Sequence, residues 1–199
     1  MKIVEVVDVI ESSDITGSSL WKRGWKDIED SIHAIDWPHG SGTFSLNPEG
    51  KHANGVKPIK EPALNLLKDR GWKVESLPSE LSGVKMGNLD ALYSSSEIEN
   101  IGFEWETGNI SSSHRAINKM LHALLKGGLI AGVLVVPSQA MRRYITDRVG
   151  NITELREYFY VWSQVSIRKG LLRIVAVEYD QLDRSVPLIP KGTDGRARR

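Results

Sequence analysis

Glu104 and Glu106 flank a single tryptophan. In an extended strand, side chains two apart leave the same face, so both carboxylates project together while Trp105 turns to the opposite layer. Asp90 and Glu75 stand near the ends of two neighbouring predicted strands and could join them. Carboxylates gathered without a cation repel. A hard divalent ion resolves the conflict, and Mg2+ is typically held by one or two carboxylates together with phosphate oxygens. Two such ions about 3.5 to 4 Å apart can activate a water and stabilise a leaving alkoxide in phosphodiester hydrolysis. The expected ligands are Glu75, Asp90 and Glu104. The next segment, Thr107 to Arg115, carries amide, hydroxyl and guanidinium groups in Asn109, Ser111 and Arg115, the types that read base edges in a major groove.

These residues need rigid elements to hold them. Alternating apolar and charged residues predict a strand over 1–10, and Trp21, Trp25, Ile28 and Ile32 predict a helix over 18–35 capped by Ser18 or Ser19. Residues 39–58 are rich in Gly, Pro, Asn and Ser and read as a long ordered loop. A short helix is expected over 60–70, with Pro62 in its first turn and Gly71 as its stop. Strands over 71–77, 88–93 and 101–106 follow as a meander. Ile117, Met120, Leu121, Leu124 and Leu125 form one stripe of a helix over 112–126, closed by Gly127 and Gly128. The apolar run 129–136 reads as a central strand covered on both faces. Helices over 138–149 and 153–162 and a strand over 171–179 complete the pattern. The expected fold is α/β, one domain with a central mixed sheet flanked by helices.

Composition limits the rest. The chain has 199 residues, long enough for one well-buried core, and no cysteine, which excludes disulfides, thiolate nucleophiles and sulfur-ligated metals. No run of eighteen apolar residues exists, and charge interrupts the first five residues too early for a secretory signal, so a cytoplasmic protein with no membrane association is expected. The net charge of +1 is no signature of a polyanion binder. Its distribution says more: Lys22, Arg23 and Lys26 cluster early, Arg142, Arg143 and Arg148 late, and Arg196, Arg198 and Arg199 stand at the end. A cleft with a basic rim and an acidic floor attracts phosphates and holds cations beside one of them.

Five runs carry a resemblance: Trp37-Pro38, Asn54 to Glu61, Glu104-Trp105-Glu106-Thr107-Gly108-Asn109-Ile110-Ser111-Ser112, Thr146 to Val149, and Val186-Pro187-Leu188-Ile189-Pro190-Lys191-Gly192. Through them the sequence resembles the BamHI type II restriction endonucleases over most of its length, and least over residues 1–11. The resemblance implies a restriction-endonuclease-like fold and an active site of Glu75, Asp90, Glu104 and Glu106. It also implies Mg2+, two ions per site, as cofactor, with Lys60 near the scissile phosphate of double-stranded DNA. Nucleases of this broader class usually carry a lysine two residues after the second acid. Glu106 stands there instead, a departure that these enzymes share, and it is expected to hold or deprotonate the attacking water.

The resemblance further implies base contacts from Asn109, Ser111, Arg115, Asp147 and Arg148 at the palindrome GGATCC, cut between its two guanines to leave 5′ overhangs. Residues 186–199 correspond to a DNA-contacting arm, in which Gly192, Asp194 and Arg196 lie near the bases and Arg196 adds positive charge in a narrow groove. A palindromic site calls for a homodimer. Such an enzyme also needs a cognate DNA methyltransferase in its host.

Each feature has a plainer explanation. A Glu-x-Glu in a strand is more often a solvated face, Lys60 a surface helix lysine, Asp147-Arg148 a charge pair at a helix end, and Ser111 or Ser112 an N-cap. His114 and His122 lack a third ligand at suitable spacing and are expected to be packing or surface residues. The competing functions are a nuclease of the same fold with another DNA site and a non-catalytic DNA-binding protein. Loss of Glu104 separates the last from the others.

Overall fold

The computed structural model describes residues 1–12, 14–56, 58–81, 83–96 and 99–191. The alternating N-terminal residues form β1 (Lys2–Ser12), followed by α1 (Ser19–His33), β2 (Ser45–Leu46), α2 (Glu61–Asp69) and β3 (Lys73–Ser76). After a single 3-10 turn come β4 (Leu89–Ser96), β5 (Glu99–Trp105), α3 (Ile110–Leu125) and β6 (Ala131–Pro137). Three short helices, α4 (Gln139–Arg142), α5 (Ile152–Arg156) and α6 (Phe159–Ser163), precede β7 (Gly170–Glu178) and β8 (Gln181–Leu182). Six strands make one sheet in the order β1-β7-β6-β5-β4-β3. β5, β6 and β7 run parallel; β1 pairs antiparallel with β7, β4 with β5, and β3 with β4, so the sheet is mixed as expected.

Strand alternation divides the core into two layers. Phe103, Trp105, Val133 and Val135 pack with Ile28, Ile32 and Leu67 of α1 and α2. Leu134, Leu172 and Ile174 pack on the opposite face with Ile117, Met120 and Leu124 of α3. Gly132 lets α3 approach β6: a Cβ there would lie 2.9 Å from Met120 Sδ. The apolar run is the buried strand β6, with its seven residues inaccessible because helices cover both faces.

Several elements differ from the sequence reading. α3 begins at Ile110 rather than Ser112, because Asn109 and not a serine caps it, accepting from Ser112 N at 3.1 Å. The helix expected over 138–149 is only the one turn of α4. The carbonyls of Arg143 and Tyr144 accept instead from His52 N (3.1 Å) and Asn54 N (2.9 Å), which diverts them from a helical ladder. Asp147 and Arg148 therefore lie in an irregular turn, not at a helix end. The helix expected over 153–162 is divided into α5 and α6, with Tyr158 N bonded three residues back to Leu155 O at 2.9 Å. Within the long loop, β2 pairs with β8 as a small parallel sheet.

Candidate active site and nucleic-acid interface

The acidic residues meet at one end of the sheet because strand register carries them there. Val74 faces Ala91 and Ser76 faces Leu89, so Glu75 falls opposite Asp90; Ala91 faces Phe103, which puts Asp90 level with Glu104. Directly opposed residues share a face. Glu104 points to the α3 side of the sheet, between Phe103 and Trp105 of the other core layer. Asp90 and Glu104 are both buried, 7% and 4% exposed, whereas Glu75 is exposed and its backbone is left-handed, with φ of 48°.

Two lysines enter this cluster. Lys60, at the N-cap position of α2, donates to Asp90 Oδ1 at 2.8 Å, and Trp105 N donates to Asp90 Oδ2 at 2.8 Å, so both carboxylate oxygens are engaged. Lys119 reaches across from α3, pairs with Glu104 Oε1, and donates to Asn88 O at 2.6 Å. Glu106 follows the end of β5, half-buried, with its N bonded to Val135 O at 2.9 Å.

The electrostatics follow from this packing. Burial pushes the Glu104 carboxyl up to about 7; Lys119 opposes the rise, while Asp90 and Glu106 add to it. Glu106 is raised as well, by burial and then by Asp90, against the pull of Lys60, the Gly108 N–H and Arg115. Burial works against the charge on Lys60, but its hydrogen bond to Asp90 and the nearby Asp90, Glu75 and Glu106 outweigh it and hold its pKa above the usual value.

Mg2+ suits this donor set. The candidate ligand atoms are all hard carboxylate oxygens, and the fold already places an ammonium against two of the acids. Among the described residues, no group of three or more acidic or histidine side chains forms a ready-made cage.

Beside the cluster, the candidate reading groups are brought together from two parts of the chain. Asn109 forms a bridge with Val149, and Gly150 N donates to Gly108 O at 2.9 Å, which seats the 147–150 turn against the first turn of α3. Contact there is close, since a Cβ on Gly150 would lie 3.0 Å from Ile110 Cα. Ser111 and Arg115 line an open cleft of about 500 Å3 whose wall also includes Lys85 and Lys119. Arg148 adopts φ of 66°, and its N donates to Asp147 Oδ1 at 2.9 Å. Three non-glycine residues among those described are left-handed: His52, Glu75 and Arg148. Such strain concentrates where function holds a backbone against its preference, and His52 Nε2 itself lies 3.9 Å from Asp147 Oδ1.

Sequence reasoning missed Lys119 and His52. Neither has a local signal, because each becomes relevant through a partner far along the chain. Gly192, Asp194 and Arg196 lie outside the described residues. The stretch leading to them is docked: Ile189 is buried, its N donates to Asn54 Oδ1 at 3.1 Å, and Trp37 Nε1 donates to Pro187 O at 2.8 Å. Gly55 permits the approach, as a Cβ there would collide with Pro190 O.

Comparison with known proteins assigns the chain to a family. The family described as restriction endonuclease BamHI matches residues 1–196. The chain belongs to this family. It is 44% identical to the type II restriction enzyme OkrAI of Oceanobacter kriegii over 202 aligned residues, covering 99% of each chain. It is 35% identical to the type II restriction enzyme BamHI of Bacillus amyloliquefaciens, covering 93% of this chain and 87% of that enzyme. In fold, this BamHI-family chain is similar to the restriction endonuclease BglII solved with a DNA 16-mer, with a TM-score of 0.61 at 12% identity over 90% of this chain and 79% of that one. Free BglII gives a TM-score of 0.54 at 10% identity, covering 90% and 81%. The restriction-endonuclease-like fold and the type II restriction enzyme class expected from the sequence are thereby established. No helix among the described residues is long and apolar enough to cross a membrane.

Proposed function

We propose that this enzyme hydrolyses duplex DNA at GGATCC between the two guanines, leaving 5′ overhangs, with Mg2+ as cofactor. The observation that carries the reading is the meeting of Asp90, Glu104 and Glu106 at one sheet end with a helix N-terminus and the 147–150 turn beside them. Glu104, Asp90 and, from the neighbouring strand, Glu75 would hold the cations, two per site. When bound, the ions supply Lewis acidity and lower the pKa of a bound water. Glu106, raised in pKa and half-buried, accepts the proton of the attacking water at a carboxylate oxygen. Lys60 fixes Asp90 and meets the scissile phosphate.

Recognition falls to the adjoining groups. Asn109, Ser111 and Arg115 approach base edges from the start of α3, and Asp147 and Arg148 read the two sides of a G·C pair, the carboxylate accepting from cytosine and the guanidinium donating to guanine. Gly192, Asp194 and Arg196, which follow the docked residues 186–191, are the further candidates for base contact. The palindrome requires a homodimer, and the C-terminal half of α3 and the segment from Thr153, which carry the exposed Leu125 and the exposed Tyr158, Tyr160 and Val161, are the candidates for its interface. Cytoplasmic residence and a cognate methyltransferase complete the system.

The test is a digest of plasmid DNA carrying one GGATCC, with Mg2+ or with EDTA, followed by sequencing of the ends. Linear product with GATC overhangs in Mg2+ alone is expected. Ends at another sequence would assign a different site, and intact plasmid under both conditions would remove catalysis.

A further inference from the structure

Lys119 occupies an unusual position for a lysine: it is 8% exposed, and its ammonium is divided between Asn88 O and a carboxylate expected to hold metal. Asn88 immediately precedes β4, two residues before Asp90, so one ammonium ties α3 to both acid-bearing strands. We propose that Lys119 is the protein's own stand-in for a cation at Glu104, neutralising that carboxylate in the free protein and opposing the entry of a divalent ion. This rests on Glu104 being a metal ligand.

The physical argument is one of charge. A buried carboxylate deprived of its partner is strongly destabilising, so the free fold needs a positive group there. A divalent ion bound to the same carboxylate stands within a few ångströms of the ammonium and is repelled by it. Lys119 has a second place to go, because it also borders the open cleft with Ser111, Arg115 and Lys85. Arg115 lies one helical turn before it on the same helix. A DNA phosphate entering that cleft offers the ammonium a new partner and frees Glu104. Metal loading is thus held down until DNA arrives, by a residue that touches neither the scissile bond nor the bases.

The experiment measures Mn2+ affinity of the DNA-free protein at pH 8 by isothermal titration calorimetry. Lys119→Met, which keeps the apolar stem, and Lys119→Gln, which keeps a donor for Asn88 O, are expected to bind Mn2+ at least about tenfold more tightly than the parent, and Lys119→Arg about as weakly. A lysine with a merely structural role predicts the opposite sign, because loosening the site weakens metal binding. Unchanged or weaker Mn2+ binding in the Met and Gln variants overturns the proposal. Should Lys119→Met fail to fold, Lys119→Gln decides. Glu104→Gln separates the two levels: if it abolishes Mn2+ binding while the Lys119 variants change nothing, the Lys119 proposal alone falls. If it leaves Mn2+ binding intact, the assignment of Glu104 as ligand falls and takes the proposal with it.

Discussion

The acidic end of the sheet and the 147–150 turn beside it are built in opposite ways. Asp90 and Glu104 are buried and held by a backbone N–H and two lysines. Asp147 and Arg148 leave 68% and 77% of their side chains in solvent, on a turn whose arginine is left-handed. Their mutual contact, 3.9 Å between exposed groups, contributes little to stability. One region is packed around its own counter-ions, and the other is left open to solvent. Catalytic charge needs preorganisation in a low-dielectric surrounding, whereas base recognition needs donors and acceptors kept free of competing partners.

Substitutions that affect only one region break or sharpen that contrast. The largest effect is expected for Glu106→Gln, which should lower single-turnover cleavage by on the order of 10² to 10⁴ while duplex binding persists; near-parent cleavage removes Glu106 as base. Next, Arg148→Ala should cost about 1 to 3 kcal/mol in discrimination between GGATCC and sites altered at one G·C pair, measured as a ratio of kcat/KM. If the loss were equal for every sequence, Arg148 would be a phosphate contact instead.

A third effect concerns stability. The folded-state pKa of Glu104 is raised above its unfolded value, so the fold favours the protonated acid and this contribution is lost as pH rises from about 4.5 through about 7. In the metal-free protein, the stability of the parent relative to Glu104→Gln should fall between pH 5 and pH 8, followed by urea denaturation at each pH. A relative stability independent of pH would mean that the carboxyl is not desolvated. The smallest effect is expected for Lys60→Ala in DNA binding, where removing one phosphate contact should reduce the slope of log K against log salt by about 0.9.

What could be read from the residues alone depended on distance along the chain. The α3 stripe except for Leu125, which is exposed, the buried run of β6 and the alternation of Glu104 with Trp105 are local patterns, and they emerge as helix, strand and sheet face in their expected places. The 138–149 segment has helical composition, yet two of its carbonyls bond to residues 52 and 54, nearly a hundred positions away. The same holds for Val186 to Lys191, which carries two prolines and no periodic pattern yet is seated by Asn54 and Trp37. Lys119 sits beside the apolar stripe of α3 and looks like an ordinary solvated lysine until β5 brings Glu104 beneath it. The carboxylates can be grouped from their alternation and from neighbouring predicted strands, while their pairing with Lys60 and Lys119 cannot, because lysines on helices are common.

Glu104→Gln, assayed for both binding and cleavage of a GGATCC duplex in Mg2+, tests most directly whether the two regions are separable parts of one nuclease. The account predicts a stable complex that is not cut. Cleavage at the parent rate would contradict it.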